Sequence, residues 1–433
     1  MLPPILSLQK SMQLNQVCYR TLHLPESWTL KAYESVGGYQ VLRKILKEQT
    51  SRSEIIETIK ASVLRGRGGA GFPTGLKWSF VSPNVPGQKY VLCNSDESEP
   101  GTCKDRDILR FNPHQVLEGL AIACYVMGAT VAYNFLRGEF YEPFLRCEAA
   151  LKEMYDAGLA GKNVLGSGID FDIYNHYSAG AYICGEETAL MNSLEGKRGM
   201  PRFKPPFPAN YGLYGRPTNI NNTESYASIP VILEKGAQWF ASMGPEKSGG
   251  TKIFSVSGHV NKPGNYEIPL GTPFATLLEL AGGMLDGIPL KAVIPGGSSM
   301  PVLPADVMMQ TNMDYDSLSK AGSSLGSGAV IVMNEKTCMV KALKRISKFY
   351  MHESCGQCTP CREGTGWIYR LVEKIENGEG TMKDLEELKR VAKNIEGRTI
   401  CAFGEAAAWP VGGFLKQFYD EFVYHIEHKK CLV

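Results

Sequence analysis

Three cysteines, Cys355, Cys358 and Cys361, stand in one run separated by two-residue gaps. Thiols so spaced can converge from a single loop on an inorganic iron–sulfur cube, and the bacterial ferredoxin run uses the same gaps. A fourth ligand must come from elsewhere. Cys401 follows an expected helix stop and is the leading candidate, with Cys338 and Cys431 as competitors. A four-thiolate zinc site is the alternative, but such sites usually pair two short Cys-x-x-Cys knuckles. The remaining cysteines, including Cys124, Cys147 and Cys184, read as small buried hydrophobes.

A second chemical signal is the glycine-rich stretch from Arg65 to Gly75, with a formal G-x-G-x-x-G from Gly66 to Gly71. The dinucleotide fingerprint requires a strand before it. Here Ile55, Ile56, Ile59, Val63 and Leu64 precede it at helical spacing, so the usual Rossmann reading of the motif fails. The loop still lets backbone N–H groups approach a phosphate or a flat ring. Lys77 adds a point charge, and Arg65 and Arg67 flank the loop. A tight structural turn is the competing reading.

Two acidic clusters complete the set. Asp96, Glu97 and Glu99 follow an expected strand over 89–93, where open α/β sheets bind ligands, and their carboxylates can accept ribose hydroxyls. A solvated acidic loop fits that segment equally well. Gly185, Glu186 and Glu187 precede Thr188, and such a segment also opens a helix whose first turn welcomes acids.

The elements that position these residues fall into three parts. Helical and strand-like patterns alternate to about residue 200, which favours an α/β domain. The first helical pattern runs over 42–64. Residues 201–217 form a long Pro- and Gly-rich loop, a type that is often functional. Beyond residue 245 come a strand over 252–260 and a turn at Lys262-Pro263-Gly264-Asn265. A short helix from Thr272-Pro273 to Gly282 and a strand over 291–295 follow. The last hundred residues are helical. Leu385, Leu388, Val391 and Ile395 share one face, Thr381 and Asp384 suggest a capping box, and Gly397 suggests the stop. Phe414, Phe418, Phe422 and Ile426 form another face of what reads as a helical bundle. The expected domains are 1–245, 246–330 with one helix, and 331–433.

Composition narrows the class further. Lys plus Arg is 46 against Asp plus Glu 44, a net of +2 that gives no pull toward nucleic acid or anionic membrane. Residues 120–136 are apolar but short and interrupted by Gly128, Thr130 and Asn134. They read as a core helix running into a strand, so any membrane role is peripheral. Residues 1–30 show no basic region followed by an apolar core, which implies no signal peptide and a reducing compartment. The histidines His23, His114, His176, His259, His352, His425 and His428 are scattered without metal spacing.

Taken together, residues 65–78, 94–105, 179–196, 204–208, 217–224 and 353–364 resemble the signature blocks of the NADH-binding flavoprotein subunit of respiratory complex I, the F-type chain in bacterial naming. The resemblance runs from about residue 30 to the C-terminus. It implies an α/β fold with a small β-grasp and an all-α part: a Rossmann-like FMN domain, a ubiquitin-like β-grasp domain and a four-helix bundle carrying a [4Fe–4S] cluster. It places Gly66, Arg67, Gly68, Gly69, Gly71, Lys77, Asn94, Asp96, Glu97, Gly185, Glu186, Asn221 and Asn222 around FMN. Phe72, Phe80 and Phe207 would stack on the adenine end of NADH, with Glu99, Tyr182, Glu187 and Lys204 contacting the nucleotide and Glu99 and Tyr182 nearest the nicotinamide. Cys355, Cys358, Cys361 and Cys401 match the cluster ligands.

The implied reaction is hydride transfer from NADH to FMN, then single-electron transfer to the cluster and onward to quinone, with no amino-acid nucleophile. The implied partners are a small [2Fe–2S] subunit and a large iron–sulfur subunit, on the cytoplasmic face of the inner membrane. The nearest alternative is the diaphorase subunit of an NAD-linked hydrogenase or formate dehydrogenase. Those chains often carry an extra domain for which 433 residues leave no room. An alternative of another class is a non-enzymatic, zinc-stapled binding module.

Overall fold

A computed structural model describes residues 14–82 and 85–433. Part of the expectation about residues 1–30 therefore lies outside the described residues. The pattern over 42–64 forms two helices, Gln40–Glu48 and Arg52–Ala61, because Gln49 turns left-handed at φ 50° and ends the first. As expected, the glycine loop follows a helix and not a strand.

The first sheet comprises β1 (Tyr90–Ser95), β2 (Val131–Leu136), β3 (Asp172–Tyr177) and β4 (Thr218–Asn222). Its order is β3-β2-β1-β4 and every pairing is parallel. Val91, Leu92 and Cys93 are buried in succession, as a central parallel strand covered on both faces requires. The apolar run over 120–136 resolves into the helix Pro113–Met127, a left-handed Gly128 and β2. Proline in the first turn and glycine past the end suit the two termini of that helix. Glu118 lies buried within it and accepts from the Tyr33 hydroxyl at 2.5 Å and from the N–H groups of Tyr39 at 2.9 Å and Leu42 at 3.2 Å. Those bonds offset the cost of burying the carboxylate.

A second, mixed sheet follows: β5 (Thr251–Gly258), β6 (Gly264–Pro269), β7 (Leu290–Ile294), β8 (Leu303–Pro304) and β9 (Ala329–Asn334). Its order is β6-β5-β9-β7-β8. The hairpin β5–β6 is antiparallel, whereas β9 runs parallel to β5 and antiparallel to β7. Two differences from expectation appear here. The short helices Ala305–Met308 and Tyr315–Lys320 join the expected Phe274–Leu280. One turn of helix is too short to give a periodic signal. The boundary expected at 330 also falls inside β9, so this sheet is complete only at Asn334.

The remaining helices are Met339–Glu353, Thr359–Glu376, Met382–Ile395 and Phe403–His428. Each packs on the next, and the last packs on the first. Leu385, Leu388, Val391 and Ile395 are buried together, and the Thr381–Asp384 capping box forms in both directions. Phe414 and Phe422 are buried, but Phe418 leaves helical geometry at φ −133° and sits at the edge of the apolar core.

Charged side chains join the first two parts. Glu224 accepts from Lys252 at 2.6 Å and lies 3.0 Å from Lys104, all of them buried. The N-terminal segment also crosses between parts, since Val17, Cys18 and Tyr19 donate backbone N–H groups to Glu267 of β6 at 2.8, 3.0 and 2.8 Å. Among the described residues no helix is long and apolar enough to cross a membrane.

Candidate functional site

Parallel strands β1 and β4 end side by side at Ser95 and Asn222; the chain leaves β1 for β2 on one side, whereas β4, reached from β3, lies on the other side of β1. That is the switch point where open α/β sheets bind ligands. A cleft of about 590 Å³ opens there, within the range that holds a cofactor. Its lining brings together Gly68, Gly69, Asn94, Asp96, Glu97, Glu99, Tyr182, Gly185, Glu186 and Asn222 from the sequence-derived set.

Close approach fixes two glycines. A Cβ on Gly68 would meet Cβ of Asn222 at 3.0 Å, and one on Gly185 would meet the carbonyl oxygen of Asp96 at 3.2 Å. Asn94 donates to the Gly185 carbonyl at 2.8 Å, and Asn222 donates to Asp105 at 2.6 Å. Burial pushes the Asp96 carboxyl up to about 7, although Ser98 donates to it at 2.5 Å, and its Oδ2 has no hydrogen-bond partner. An unmatched buried acceptor in a cleft wall suits a ligand donor such as a ribityl hydroxyl. Burial, reinforced by Asp105, also lifts Glu97 to about 7. Glu97 accepts from the N–H groups of Asp105 at 2.8 Å and Arg106 at 3.1 Å, so it holds the first turn of the helix Lys104–Phe111. Glu186 is likewise the N-cap of the helix Glu187–Leu194, accepting from Thr188 and Ala189. The structural alternative for that segment is therefore met alongside its place in the cleft.

Other expected residues lie elsewhere. Arg67 is fully buried and donates to the carbonyls of Arg65 at 3.2 Å and Gly249 at 2.7 Å, which braces the loop from behind. Gly66 and Gly71 shape the loop through Gly66 N–H to Phe72 O at 2.8 Å and Arg65 Nε to Gly71 O at 2.7 Å. Asn221 lies on the face of β4 that meets the helix Thr223–Lys235, and donates to Asn219 at 2.6 Å and to the Tyr226 hydroxyl at 3.4 Å. Lys77 and Lys204 flank Glu187 at 3.1 and 2.7 Å. Burial would raise Glu187, but the two lysines bring it down to about 2. Phe72, Phe80 and Phe207 lie outside the cleft lining and are 44%, 50% and 55% exposed, with Phe72 and Phe80 6.0 Å apart.

Sequence reasoning assigns no role to Lys104, Ser299, Tyr350 or Phe403. Burial alone would lower Lys104, yet Asp105, Glu224 and Glu97 hold it well above its ordinary value at the cleft floor. A lysine within an acidic block is the available signal. Ser299 donates its N–H to Glu99 at 2.7 Å, and Ser298 bonds to the Tyr350 hydroxyl at 2.8 Å. Such long-range contacts leave no local trace in the sequence.

Cys355, Cys358, Cys361 and Cys401 line one small cavity with Pro201, Thr399 and Ile400. Of the three candidates for the fourth thiol, Cys401 alone lines it. The helix Thr359–Glu376 starts just after Cys358 with proline in its first turn, and Phe403–His428 starts just after Cys401. The chemistry of the donor set fits a cube better than zinc. Four thiolates on one zinc stand about 3.8 Å apart. Among the described residues, the one group of three or more His, Cys, Asp or Glu ligand atoms all within 4.8 Å is Cys338, His425 and Cys431, so these four thiols are spread more widely. Ser354 lies 3.1 Å from the Cys361 sulfur, and Ile400 N–H donates to Cys358 at 3.3 Å. Such bonds to sulfur tune a cluster's potential. His425, one of the histidines without metal spacing in the sequence, is brought by the fold to Cys338, its Nε2 lying 3.3 Å from that sulfur.

Cys401 and Phe403 line both the cluster cavity and the cleft. A cofactor cleft at a sheet switch point, sharing a wall with four thiols, defines a flavin- and iron–sulfur-dependent oxidoreductase chain. Comparisons with known proteins agree. Residues 59–231 match the Nuo51 FMN-binding domain, 253–303 the SLBB domain and 341–425 the NADH-ubiquinone oxidoreductase-F iron–sulfur binding region. The chain is 53% identical over 411 residues to the NADH-quinone oxidoreductase F subunit of Rickettsia bellii (strain OSU 85-389), covering 94% of this chain and 98% of that one. It is 51% identical over 416 residues to the NADH-quinone oxidoreductase F 2 subunit of Rhizobium meliloti (strain 1021), covering 96% and 98%. A solved NAD+-reducing [NiFe]-hydrogenase in the H2-reduced state superposes with TM-score 0.81 at 31% identity, covering all of this chain and 67% of that one. The chain belongs to the family of NADH-quinone oxidoreductase F subunits, with FMN and a [4Fe–4S] cluster as cofactors.

Proposed function

We propose that this chain oxidises NADH as the entry subunit of an NADH–quinone oxidoreductase. The observation that carries the reading is the wall shared by the cleft and the four-thiol cavity at Cys401 and Phe403. FMN, when bound, supplies hydride acceptance and one-electron release, and a [4Fe–4S] cluster supplies one-electron acceptance. The chain's own residues bind and orient. The backbone at Gly68 and Gly69 would come close to the flavin, Asn94 and Asn222 would present its polar contacts, and Asp96 would accept a hydrogen bond from one of its hydroxyls. Glu99 and Tyr182 would face the nicotinamide. Glu187 and Lys204 would meet the nucleotide beside Lys77, with Phe72, Phe80 and Phe207 available for stacking. Cys355, Cys358, Cys361 and Cys401 would hold the cluster.

The finer architecture belongs to the same proposal. The parallel sheet and its helices act as a Rossmann-like FMN domain to about residue 245. A β-grasp domain extends to Asn334, beyond the expected 330, and a four-helix bundle carries the cluster. The match between 253–303 and the SLBB domain supports the second of these. Partners would be a small [2Fe–2S] subunit and a large iron–sulfur subunit, which place the assembly on the cytoplasmic face of the inner membrane. The hydrogenase diaphorase alternative has the weaker likeness, 31% identity against 53%.

An anaerobic absorption spectrum before and after NADH tests the reading. A flavin band that bleaches over a broad iron–sulfur shoulder supports it. A protein that stays colourless after flavin and iron–sulfur reconstitution overturns it.

A further inference from the structure

Cys338 and Cys431 meet a histidine at the end of the helix Met339–Glu353 opposite to Cys355. Cys338 is the N-cap of the helix Met339–Glu353, four residues beyond the end of β9. His425 lies near the end of Phe403–His428 and is 1% exposed. Cys431 follows that helix. Lys429 turns left-handed at φ 54° and donates its N–H to the His425 carbonyl at 3.0 Å, which stops the helix and swings the tail back. Gly378 leaves room for that turn, since a Cβ there would meet the Lys429 carbonyl oxygen at 2.8 Å. The sulfurs of Cys338 and Cys431 and a ring nitrogen of His425 then lie within 4.8 Å of one another, with Nε2 of His425 3.3 Å from the Cys338 sulfur.

We infer that Cys338, His425 and Cys431 form a second metal site, for a zinc-class divalent cation, distinct from the cluster. Zinc bonds of about 2.3 Å to sulfur and about 2.0–2.1 Å to nitrogen put tetrahedral donors roughly 3.5–3.8 Å apart, close to the spacing already present. Two thiolates and an imidazole select zinc over magnesium or calcium. The two carboxylates whose charges act on His425 are engaged: Glu421 pairs with Lys291 at 2.6 Å and accepts from Met339 N–H at 3.1 Å, and Glu376 pairs with Lys344 at 2.8 Å. Water therefore takes the fourth position. Coordination uses both cysteines as thiolates and His425 as neutral imidazole, so each Zn²⁺ bound releases two protons and nothing is oxidised or reduced. The metal clasps the tail to the start of the first bundle helix and closes the ring of four.

The test uses the full-length protein carrying flavin and cluster, purified under reducing conditions. Metal analysis is expected to find about one zinc per chain beside about four irons. X-ray absorption at the zinc edge is expected to give two sulfurs at about 2.3 Å and lighter donors at about 2.0–2.1 Å. The double variant Cys338→Ser/Cys431→Ser should lose the zinc while keeping its flavin and iron, which also shows that it folds. A wild-type protein free of zinc after zinc loading, or zinc retained in the double variant, overturns the site. So does a peptide map of freshly reduced, zinc-loaded protein that still finds Cys338 bonded to Cys431.

Discussion

Tyr182 donates its hydroxyl to Glu99 across 2.7 Å, and that bond ties the loop after β1 to the loop before the Glu186-capped helix. Ser299, in the turn between β7 and β8, holds the other oxygen of Glu99, while Tyr182 N–H donates to Glu353 of the first bundle helix at 3.1 Å. The pair thus sits where the three parts of the molecule meet. Tyr182→Phe leaves a buried carboxylate one donor short, which costs about 1–3 kcal/mol. Chemical unfolding of the wild type and the variant, both stripped of flavin, should show that loss. An unchanged midpoint would refute the junction role.

Asp96 provides a pH signature. Its folded carboxyl is raised from 3.8 to about 7 by burial. The folded state therefore holds the proton more tightly, so the contribution is present below 3.8 and disappears as pH rises through 7. Asp96→Asn should flatten the fall in stability of the flavin-free protein between about pH 4 and about pH 7.5, by on the order of a few kcal/mol. Thermal unfolding across that range, with parallel curves for both proteins, would rule the assignment out.

Glu187 governs the choice of nucleotide in the proposed mode. With the carboxylate neutralised, Lys77 and Lys204 gain a surplus positive charge that favours an added 2′-phosphate. Glu187→Gln should raise kcat/KM for NADPH relative to NADH roughly tenfold, about 1.4 kcal/mol. Steady-state kinetics with both nucleotides decides the matter, and an unchanged ratio sinks it.

Cys401→Ser separates the two cofactors. The proposed fourth cluster ligand is weakened while the Gly68–Gly69 loop is untouched. NADH should still bleach the flavin, but electron delivery to the quinone pathway should fall by roughly 100-fold. Full iron content with undiminished quinone reduction would exclude Cys401 as a ligand.

Breaking the buried pair at Glu224 tests how the first two parts hold together. Glu224→Ala leaves Lys104 and Lys252 without their shared counter-charge, a loss of roughly 3–5 kcal/mol. Denaturant unfolding measures it, and a loss below about 1 kcal/mol would mean that the charges reorganise freely.

Local patterns in the sequence carry much of this arrangement. The cysteine run, the capping box at Thr381, the helix-to-strand passage over 120–136 and the strand-end acids each depend on a few adjacent residues. The bracing role of Arg67 is not legible locally, because its partner, the Gly249 carbonyl, lies 182 residues away. The one-turn helices after Leu303 give too few residues for periodicity. The Cys338–His425–Cys431 group is hidden because a left-handed turn at Lys429, not spacing, brings it together. The resemblance of whole blocks adds what single motifs could not, the assignment of FMN to a loop that fails the dinucleotide test.

Lys77, Lys204, Glu186 and Glu187 together sum to zero charge beside the cleft. In the proposed mode, an anionic dinucleotide arriving there would gain little long-range attraction from these four side chains and would leave against little. Its on-rate and off-rate should therefore depend only weakly on ionic strength. Such a doorway favours traffic over retention, as a carrier that must depart oxidised once per cycle requires.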